Sequence, residues 1–379
     1  MKNQVLILLF LLTIISCKAQ EKNQITLPAN AKEISYAGRV DFSHPMKPSF
    51  CYSGVSIKTV FTGTTLSMLM EDLSSGDEQH TNYFAVVVDD KFYKTLQIEQ
   101  GQQSYELAKG LSYQKHSIEI FKRTECAVGS CIFLGFKAAA GTVFEKPVEK
   151  KYRIEFIGDS FTCGYGNEVS IVAPPEGNPN TGFHSKNENH YLTYGAIVAR
   201  KLNVEYRCIA YSGRGLYRNN TGSEEGTLPK IYLNIFPDEV NGALWDVKKE
   251  IPDVVVIKLG TNDFFPESQG NYLDDTSFVK TYIEFVKKLR SYYPLAKIVC
   301  ITGVSMSDYW PAERKCLTRI QHDVQNVVTE INKAGDQLVY YVNLATQIAP
   351  YGEDWHATIV SQQKMADQLM PFLKEITNW

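Results

Sequence analysis

The spacing of apolar residues changes near residue 152, and this change limits the chain to few folds. Before it, apolar residues recur at every second position, as Leu66, Met68 and Met70 do. After it, apolar runs of strand length alternate with residues at helical spacing. With 379 residues, 44% of them hydrophobic, the chain has room for two domains with separate cores.

The first part of the chain is rich in short β-strands separated by turns. Asp89-Asp90 lies between two of the apolar runs, as the turn of a hairpin does. The pattern predicts an antiparallel β-sandwich of the jelly-roll type over residues 31–145, with residues 141–151 as the junction. The predicted strands are Val55 to Phe61, Thr65 to Met70, Tyr83 to Val88, Phe92 to Ile98, Ser117 to Phe121 and Ile132 to Phe136.

The second part, residues 152–379, alternates strands with helices. This order predicts βαβ units and a parallel sheet covered on both faces, so the fold class is α/β behind a β-sandwich. Ligands of such sheets bind beyond the carboxyl ends of the strands. The predicted strands are Arg153 to Ile157, Val204 to Ile209, Val254 to Leu259, Ile298 to Thr302 and Leu338 to Leu344, and three helical repeats begin near Phe278, Leu317 and Met365.

Four of these strand ends carry polar or glycine-rich segments. They are Gly158-Asp159-Ser160, Ser212-Gly213, Gly260-Thr261-Asn262-Asp263 and, after the last strand, Glu353-Asp354-Trp355-His356. Because parallel strands end at one edge of the sheet, the segments are predicted to meet there.

The residue types suit nucleophilic catalysis. A serine hydroxyl needs a base within hydrogen-bond reach, and of seven histidines only His356 follows a late strand with an acid beside it. Ser160 is therefore the predicted nucleophile and His356 its base. The backbone N–H groups of Ser160 and Gly213 and the Asn262 amide are predicted donors to an oxyanion.

These segments resemble the successive blocks of the SGNH, or GDSL-type, hydrolases. With the N-terminal sandwich and the strings GDSFTCGYGN (158–167) and SGRGLYRN (212–219), the chain is similar to carbohydrate esterase family 2. The resemblance implies a flavodoxin-like three-layer hydrolase domain, acetylated xylan, mannan or glucomannan as substrate, and neither a metal nor an organic cofactor.

The acid that supports His356 departs from the commonest pattern. Most SGNH enzymes have it three residues before the histidine, where this chain has Glu353, whereas Asp354 stands two before. Family 2 resembles the second arrangement, and in some members a main-chain carbonyl replaces the acid. Asp354 is the predicted acid, with Glu353 or a backbone carbonyl as alternatives.

Simpler interpretations exist for the same residues. Ser160 can be a helix N-cap, Asn262 can close a turn, and Gly215 can replace Gly213 as the functional glycine. Asp159 and Asp263 are predicted to hold loops. Five aromatic residues are predicted on the same edge, where they stack on sugars or simply pack: Trp310, Trp355, Tyr165, Tyr217 and Tyr309.

The N-terminus has the pattern of a secretory signal. Lys2 precedes an apolar run from Val5 to Ile15, which is too short to span a bilayer. Residues 14–17 resemble a bacterial lipobox, so residues 1–17 are predicted to be a lipoprotein signal with Cys17 as the lipidated residue and 18–30 as a tether. The alternative is an ordinary signal peptide in which the cysteine is incidental. Lys18 is not acidic, which by resemblance favours an outer-membrane anchor.

Charge and cysteine content exclude further classes. The chain has 39 basic and 42 acidic residues, a net charge of −3, and no polybasic run, so no nucleic-acid partner is predicted. No cluster has zinc spacing, so no metal is predicted. Cys126 and Cys131 are close enough in sequence to form a loop disulfide or to remain free.

The sequence therefore predicts an exported, lipid-anchored esterase that removes O-acetyl groups from plant polysaccharide through an acyl-enzyme. Two other functions remain open: an SGNH esterase acting on bacterial glycan or lipid, and a carbohydrate-binding lipoprotein with incidental catalysis. No oligomeric state is predicted.

Overall fold

The computed structural model describes residues 24–239 and 241–379. Over these residues an antiparallel sheet is followed by a five-stranded parallel sheet with helices, so the predicted fold class is confirmed. Cys17 and the signal segment lie outside the described residues. Within these ranges no helix is long and apolar enough to cross a bilayer.

The β-rich domain is built around two long antiparallel strands, β4 (Ser56–Asp72) and β7 (Ser104–Lys122). The register of their pairing shifts between Gly63 and Thr65. The predicted strands Val55 to Phe61 and Thr65 to Met70 are therefore two parts of one strand. The first part of β4 pairs with β2 and β9, and the second with β8. Both parts contribute to one apolar core. The strands are β1 Gln24–Pro28, β2 Ser35–Ala37, β3 Ser49–Phe50, β4 Ser56–Asp72, β5 Tyr83–Val88, β6 Lys91–Gln97, β7 Ser104–Lys122, β8 Cys131–Ala139 and β9 Val143–Glu145.

Two details of this domain differ from prediction. Residues 24–28, predicted to be tether, form β1 and pair with β8, whose open edge supplies hydrogen-bond partners. Cys126 and Cys131 do not pair. The Sγ atom of Cys126 lies 2.6 Å from that of Cys51, whereas Cys131 begins β8 and its Sγ lies 3.8 Å from an Asp72 carboxylate oxygen. Among the described residues, all cysteines are buried and unbonded.

The second domain has the parallel strand order β11-β10-β12-β13-β14. Val255 and Ile257 pack with the core on the α5 and α6 side, whereas Val254 and Val256 pack with α2 and α7 on the other face. Burial on both faces explains why this strand is continuously apolar. The elements are β10 Arg153–Gly158, α1 Ser160–Cys163, α2 Tyr194–Leu202, β11 Glu205–Ala210, α3 Leu228–Ile231, β12 Val254–Lys258, α4 Thr261–Phe264, α5 Asp275–Tyr292, β13 Lys297–Gly303, α6 Cys316–Lys333, β14 Val339–Leu344 and α7 Ile359–Thr377.

The two domains share a buried interface. Phe121 at the end of β7 stacks on His190 and packs against Tyr206 of β11. At the start of β11, Glu205 accepts a hydrogen bond from Lys58 of β4 at 2.6 Å. The β-rich domain is thereby held against the edge of the parallel sheet beside the strand that leads to Gly213.

Candidate active site

Ser160 lies at the turn from β10, which lies between β11 and β12 in the parallel sheet, into α1. Asp159 caps the helix, because its side chain accepts a hydrogen bond from the Phe161 N–H at 3.1 Å. Ser160 is therefore the first residue of the helix and not its cap, and its simpler interpretation is wrong. Only 7% of Ser160 is exposed.

His356 contacts the serine directly. Its Nε2 lies 2.8 Å from Ser160 Oγ, and its Nδ1 lies 2.8 Å from the main-chain oxygen of Glu353. A proton on Nδ1, donated to that carbonyl, leaves Nε2 free to accept the serine proton. Ser160 and His356, predicted from separate strand ends, are thus brought together at the distance that a nucleophile and its base require.

Burial lowers the pKa of His356 to about 4, against 6.5 for a free imidazole. The carboxylates of Asp159 and Asp354 oppose this effect in part, because negative charge stabilises the imidazolium. The imidazole is consequently neutral, and able to act as a base, across the neutral and mildly acidic range.

Asp354, the predicted acid, does not hold His356. Its carboxylate accepts hydrogen bonds from the Tyr165 hydroxyl at 2.6 Å and from the Gly182 N–H at 3.0 Å. The backbone is the reason: Asp354 and Trp355 both have positive φ, 47° and 63°, in a tight turn that presents the Glu353 carbonyl to the ring. The main-chain carbonyl of Glu353 therefore takes the place beside His356 Nδ1 that was predicted for the Asp354 carboxylate.

The Glu353 carboxylate, the other candidate, faces a different loop. It accepts hydrogen bonds from the His184 N–H at 3.0 Å, His184 Nδ1 at 2.6 Å and Asn187 Nδ2 at 2.7 Å. The same turn lies so close to Gly166 that a Cβ atom there would come within 2.3 Å of Glu353 Cβ. Glu353 therefore fixes the turn that carries His356, and Gly166 makes room for it.

Mutation of the two candidate acids, Asp354 and Glu353, is expected to have different effects. Asp354→Asn is expected to lower kcat on p-nitrophenyl acetate only a few-fold, since the Glu353 carbonyl remains. Glu353→Gln is expected to lower the free energy of unfolding by about 1–3 kcal/mol, because it weakens buried hydrogen bonds of a charged group. Steady-state kinetics and thermal unfolding measure the two effects. A loss near 10⁴-fold in folded Asp354→Asn would restore the acid-supported triad.

The pKa of His356 predicts the acid limb of the activity profile. Because the neutral ring is the base, kcat/KM for a small acetyl ester is expected to be level from about pH 5.5 upward to neutrality and to fall below it with an apparent pKa near 4. Initial rates in buffers from pH 3.5 to 8, on enzyme whose fold is checked at each pH, test this. An apparent pKa between 6 and 7 would contradict it.

The predicted oxyanion donors lie at the ends of three neighbouring strands. Gly213 has a φ of +77°, and within the described ranges no group accepts from its N–H or from that of Ser160. Asn262 Nδ2 donates one hydrogen to Arg214 O at 2.8 Å, which leaves its second hydrogen free. The Gly215 N–H is occupied by Asn219 Oδ1 at 3.1 Å, so Gly213 is the better donor. The arrangement places three N–H donors at neighbouring strand ends, as the stabilisation of an oxyanion requires.

Two buried aspartates brace these segments. Asp159 pairs with Lys258 Nζ at 2.9 Å, and Asp263 accepts hydrogen bonds from the backbone N–H groups of residues 216–218. Burial raises the pKa of Asp263 to about 6. Lys258 was not singled out by the sequence analysis, although a lysine ending an otherwise apolar strand is a detectable signal. Burial lowers its pKa.

The predicted aromatic residues have different surroundings. Tyr165 stacks on His356, with ring centroids 4.1 Å apart, so it belongs to the site. Trp355 is 39% exposed and Trp310 is 56% exposed. Trp355 Nε1 donates to Asn180 Oδ1, and Trp310 packs against Phe265. Tyr217 packs against the core, and its hydroxyl donates a hydrogen bond to Glu224.

Known proteins match both domains in the same order. Residues 36–147 match the family model described as carbohydrate esterase 2 N-terminal, and residues 156–362 match the GDSL-like lipase/acylhydrolase family. The second match agrees with the geometry, in which a serine and a histidine meet beyond the carboxyl ends of a parallel sheet. The second domain is therefore a GDSL-like hydrolase.

Individual relatives agree. The chain is 36% identical over 348 residues to the cellulase/esterase CelE of Acetivibrio thermocellus, covering 91% of this chain and 40% of that protein's length. It is 27% identical to an acetylxylan esterase/glucomannan deacetylase of Cellvibrio japonicus, covering 93% and 92% of the two chains. A family two carbohydrate esterase from Clostridium thermocellum, solved with cellohexaose, is 35% identical with a TM-score of 0.81, covering 91% and 99%. The chain belongs to carbohydrate esterase family 2.

Proposed function

We propose that this protein is a carbohydrate O-acetyl esterase that deacetylates plant polysaccharide such as xylan, mannan or glucomannan. The single observation that carries the proposal is the 2.8 Å contact between Ser160 Oγ and His356 Nε2. This contact supplies an activated nucleophile where such sheets bind ligands.

The reaction proceeds in two halves. Ser160 Oγ attacks the acetyl carbonyl carbon while His356 Nε2 takes its proton, and the oxyanion is stabilised by the Ser160 and Gly213 N–H groups and the Asn262 amide. The C–O bond to the sugar then breaks, and His356 returns the proton to the sugar oxygen. Water attacks the acetyl-enzyme with His356 again as base, and acetate leaves as Ser160 regains its proton.

A main-chain carbonyl gives His356 less support than a carboxylate would. The Glu353 oxygen orients the ring through Nδ1 but carries only a partial charge. Charge on Asp354 and Asp159 contributes at longer range, since both stabilise the imidazolium. A Ser160–His356 dyad is therefore the catalytic unit in this proposal.

Two relatives support the substrate class. One is named as an acetylxylan esterase/glucomannan deacetylase, and the other was solved in complex with cellohexaose. Exposed aromatic rings, which sugars stack against, add to it: Tyr309 is 92% exposed and neighbours Trp310.

Release of acetate from acetylated xylan, glucomannan and pectin, alongside p-nitrophenyl acetate and p-nitrophenyl decanoate, tests the proposal. Acetate is expected from at least one plant polysaccharide, with little turnover of the decanoate. Faster hydrolysis of the long-chain ester would identify a lipid esterase. Binding of polysaccharide with no turnover of any ester would identify a binding protein.

We also propose that the protein is exported and anchored to the outer membrane through lipid on Cys17. The support is the sequence alone: a lysine, an apolar run and the Ile14-Ile15-Ser16-Cys17 lipobox pattern.

Cys17→Ser is expected to abolish metabolic labelling with palmitate and partition into detergent, because stable attachment requires more than one acyl chain and the lipobox cysteine carries them. Labelling and Triton X-114 partition of cells that express the full chain measure this, with Cys51→Ser as the matched cysteine control. A processed Cys17→Ser protein that stays in the detergent phase would refute the anchor.

A further inference from the structure

A carboxylate of the β-rich domain bonds the loop that carries Gly213. Glu125 lies three residues after the end of β7 and is 1% exposed. Its Oε2 accepts a hydrogen bond from the Ser212 N–H at 2.7 Å, and its Oε1 accepts one from the Ser212 hydroxyl. Glu125 has no role in the proposed reaction as described above.

The position of Ser212 makes these bonds important for the oxyanion site. The Ser212 carbonyl and the Gly213 N–H belong to one planar peptide unit, so holding Ser212 limits how that N–H can turn. On the far side of Gly213, the Arg214 oxygen accepts from Asn262 Nδ2 at 2.8 Å. The segment 212–214 is therefore held at both ends, by Glu125 from one domain and by Asn262 from the other.

We propose that Glu125 is a positioning residue for the reaction, which aims the Gly213 N–H at the oxyanion through Ser212. The β-rich domain thereby completes the oxyanion site of the hydrolase domain. This inference deepens the proposed function and depends on its ester chemistry.

Glu125 lies in a buried cluster of polar groups. The Glu125 N–H donates to Glu188 Oε2 at 2.9 Å, Cys163 Sγ lies 3.6 Å from Glu125 Oε2, and Lys122 Nζ lies 3.4 Å from the Glu125 main-chain oxygen. Burial raises the pKa of both carboxyls, and the charge on Glu125 raises that of Glu188 further.

Glu188 is accordingly the neutral member of the pair. Its Oε1 has no hydrogen-bond partner among the described side chains and backbone groups, which suits a neutral carboxyl better than a buried anion. Both Glu125 oxygens accept hydrogen bonds from Ser212, as the two oxygens of a carboxylate do, and charged acceptors hold their donors more strongly than neutral ones. The Ser212 loop is thus bound by a carboxyl group that is buried from water.

The main test is Glu125→Gln on p-nitrophenyl acetate. Glutamine keeps one acceptor oxygen for the Ser212 N–H, but the Ser212 hydroxyl must turn to accept from the glutamine amide, so both bonds lose the strength that a carboxylate acceptor gives them. We expect kcat to fall about 10-fold to 100-fold with KM changed less than about twofold, because a misplaced donor acts on the transition state only. The inhibition constant of methylboronic acid, whose adduct with Ser160 places an oxygen at the oxyanion site, is expected to rise by a similar factor.

Two variants separate positioning from domain docking. Glu205→Gln breaks the interdomain pair with Lys58 far from the site, and is expected to lower Tm while kcat and the boronate constant stay as in wild type. Glu188→Gln, isosteric with a neutral acid in the same cluster, is expected to lose less than about threefold in kcat.

Ser212→Ala keeps the inference testable if Glu125→Gln does not fold. It is expected to weaken boronate binding and lower kcat by about 10-fold, and combining it with Glu125→Gln should add little. Wild-type kcat and boronate affinity in folded Glu125→Gln or Ser212→Ala would overturn the inference, as would an equal loss in Glu205→Gln.

Failure of the proposed function gives a different result. A wild-type protein that turns over no ester refutes the esterase itself. One that hydrolyses p-nitrophenyl acetate but releases no acetate from polysaccharide refutes only the substrate, and the comparison of Glu125, Glu188 and Glu205 variants on the small ester remains decisive.

Discussion

Replacing Ser160 by alanine is expected to lower kcat for acetate release by at least about 10⁴-fold, with Tm unchanged within a few degrees. The hydroxyl is the only group that the described structure places against His356 Nε2, so its loss removes the acyl-enzyme route. Fold is retained because Asp159, not Ser160, caps the helix. Long incubations with p-nitrophenyl acetate and acetylated xylan, together with thermal unfolding, measure both effects.

Contaminating esterase would be mistaken for residual activity of Ser160→Ala, so the protein should be prepared from a host without acetyl esterase activity. His356→Ala serves as the paired control, since nucleophile and base act as one unit and each loss should be of similar size. Retention of a tenth of wild-type turnover in Ser160→Ala would remove Ser160 from the mechanism.

Asn262→Ala is expected to lower kcat by about 10²-fold to 10³-fold with little change in KM. The amide has two functions in the structure: one Nδ2 hydrogen holds the Arg214 oxygen, and the other is available to the oxyanion. Both are lost together, and both affect the transition state more than the bound substrate. Steady-state kinetics on p-nitrophenyl acetate and the methylboronic acid inhibition constant measure the loss.

Asn262→Asp is the matched control for shape, because the carboxylate keeps the size of the side chain but cannot donate. Its kcat is expected to fall at least as far as that of Asn262→Ala, since a negative charge would also oppose the oxyanion. An effect on KM alone in either variant would make Asn262 a substrate-binding residue instead of an oxyanion donor.

The architecture was readable from the chain because periodicity reports burial. Alternation at every second residue marks strands with one buried face, and the fully apolar run from Val254 to Ile257 marks a strand buried on both. Ser160, Gly213, Asn262 and His356 were readable for a related reason: each follows a strand, and parallel strands end together.

The support of His356 was decided by backbone torsion, which residue types do not report. Asp354 and Trp355 adopt left-handed conformations, and this turn presents the Glu353 carbonyl to Nδ1 while Tyr165 binds the Asp354 carboxylate. A motif counts residues along the chain, whereas a hydrogen bond depends on where each group points.

The sequence by itself determined two domains, their order and the chemistry at four strand ends, since these follow from local pattern and strand direction. Only the tertiary structure decided contacts between residues distant in the chain that no motif links. Glu125 reaches Ser212 across 87 positions, and Lys258 reaches Asp159 across 99. Such buried polar partners are selected by the need to satisfy each other's charge and hydrogen bonds once packing has brought them together.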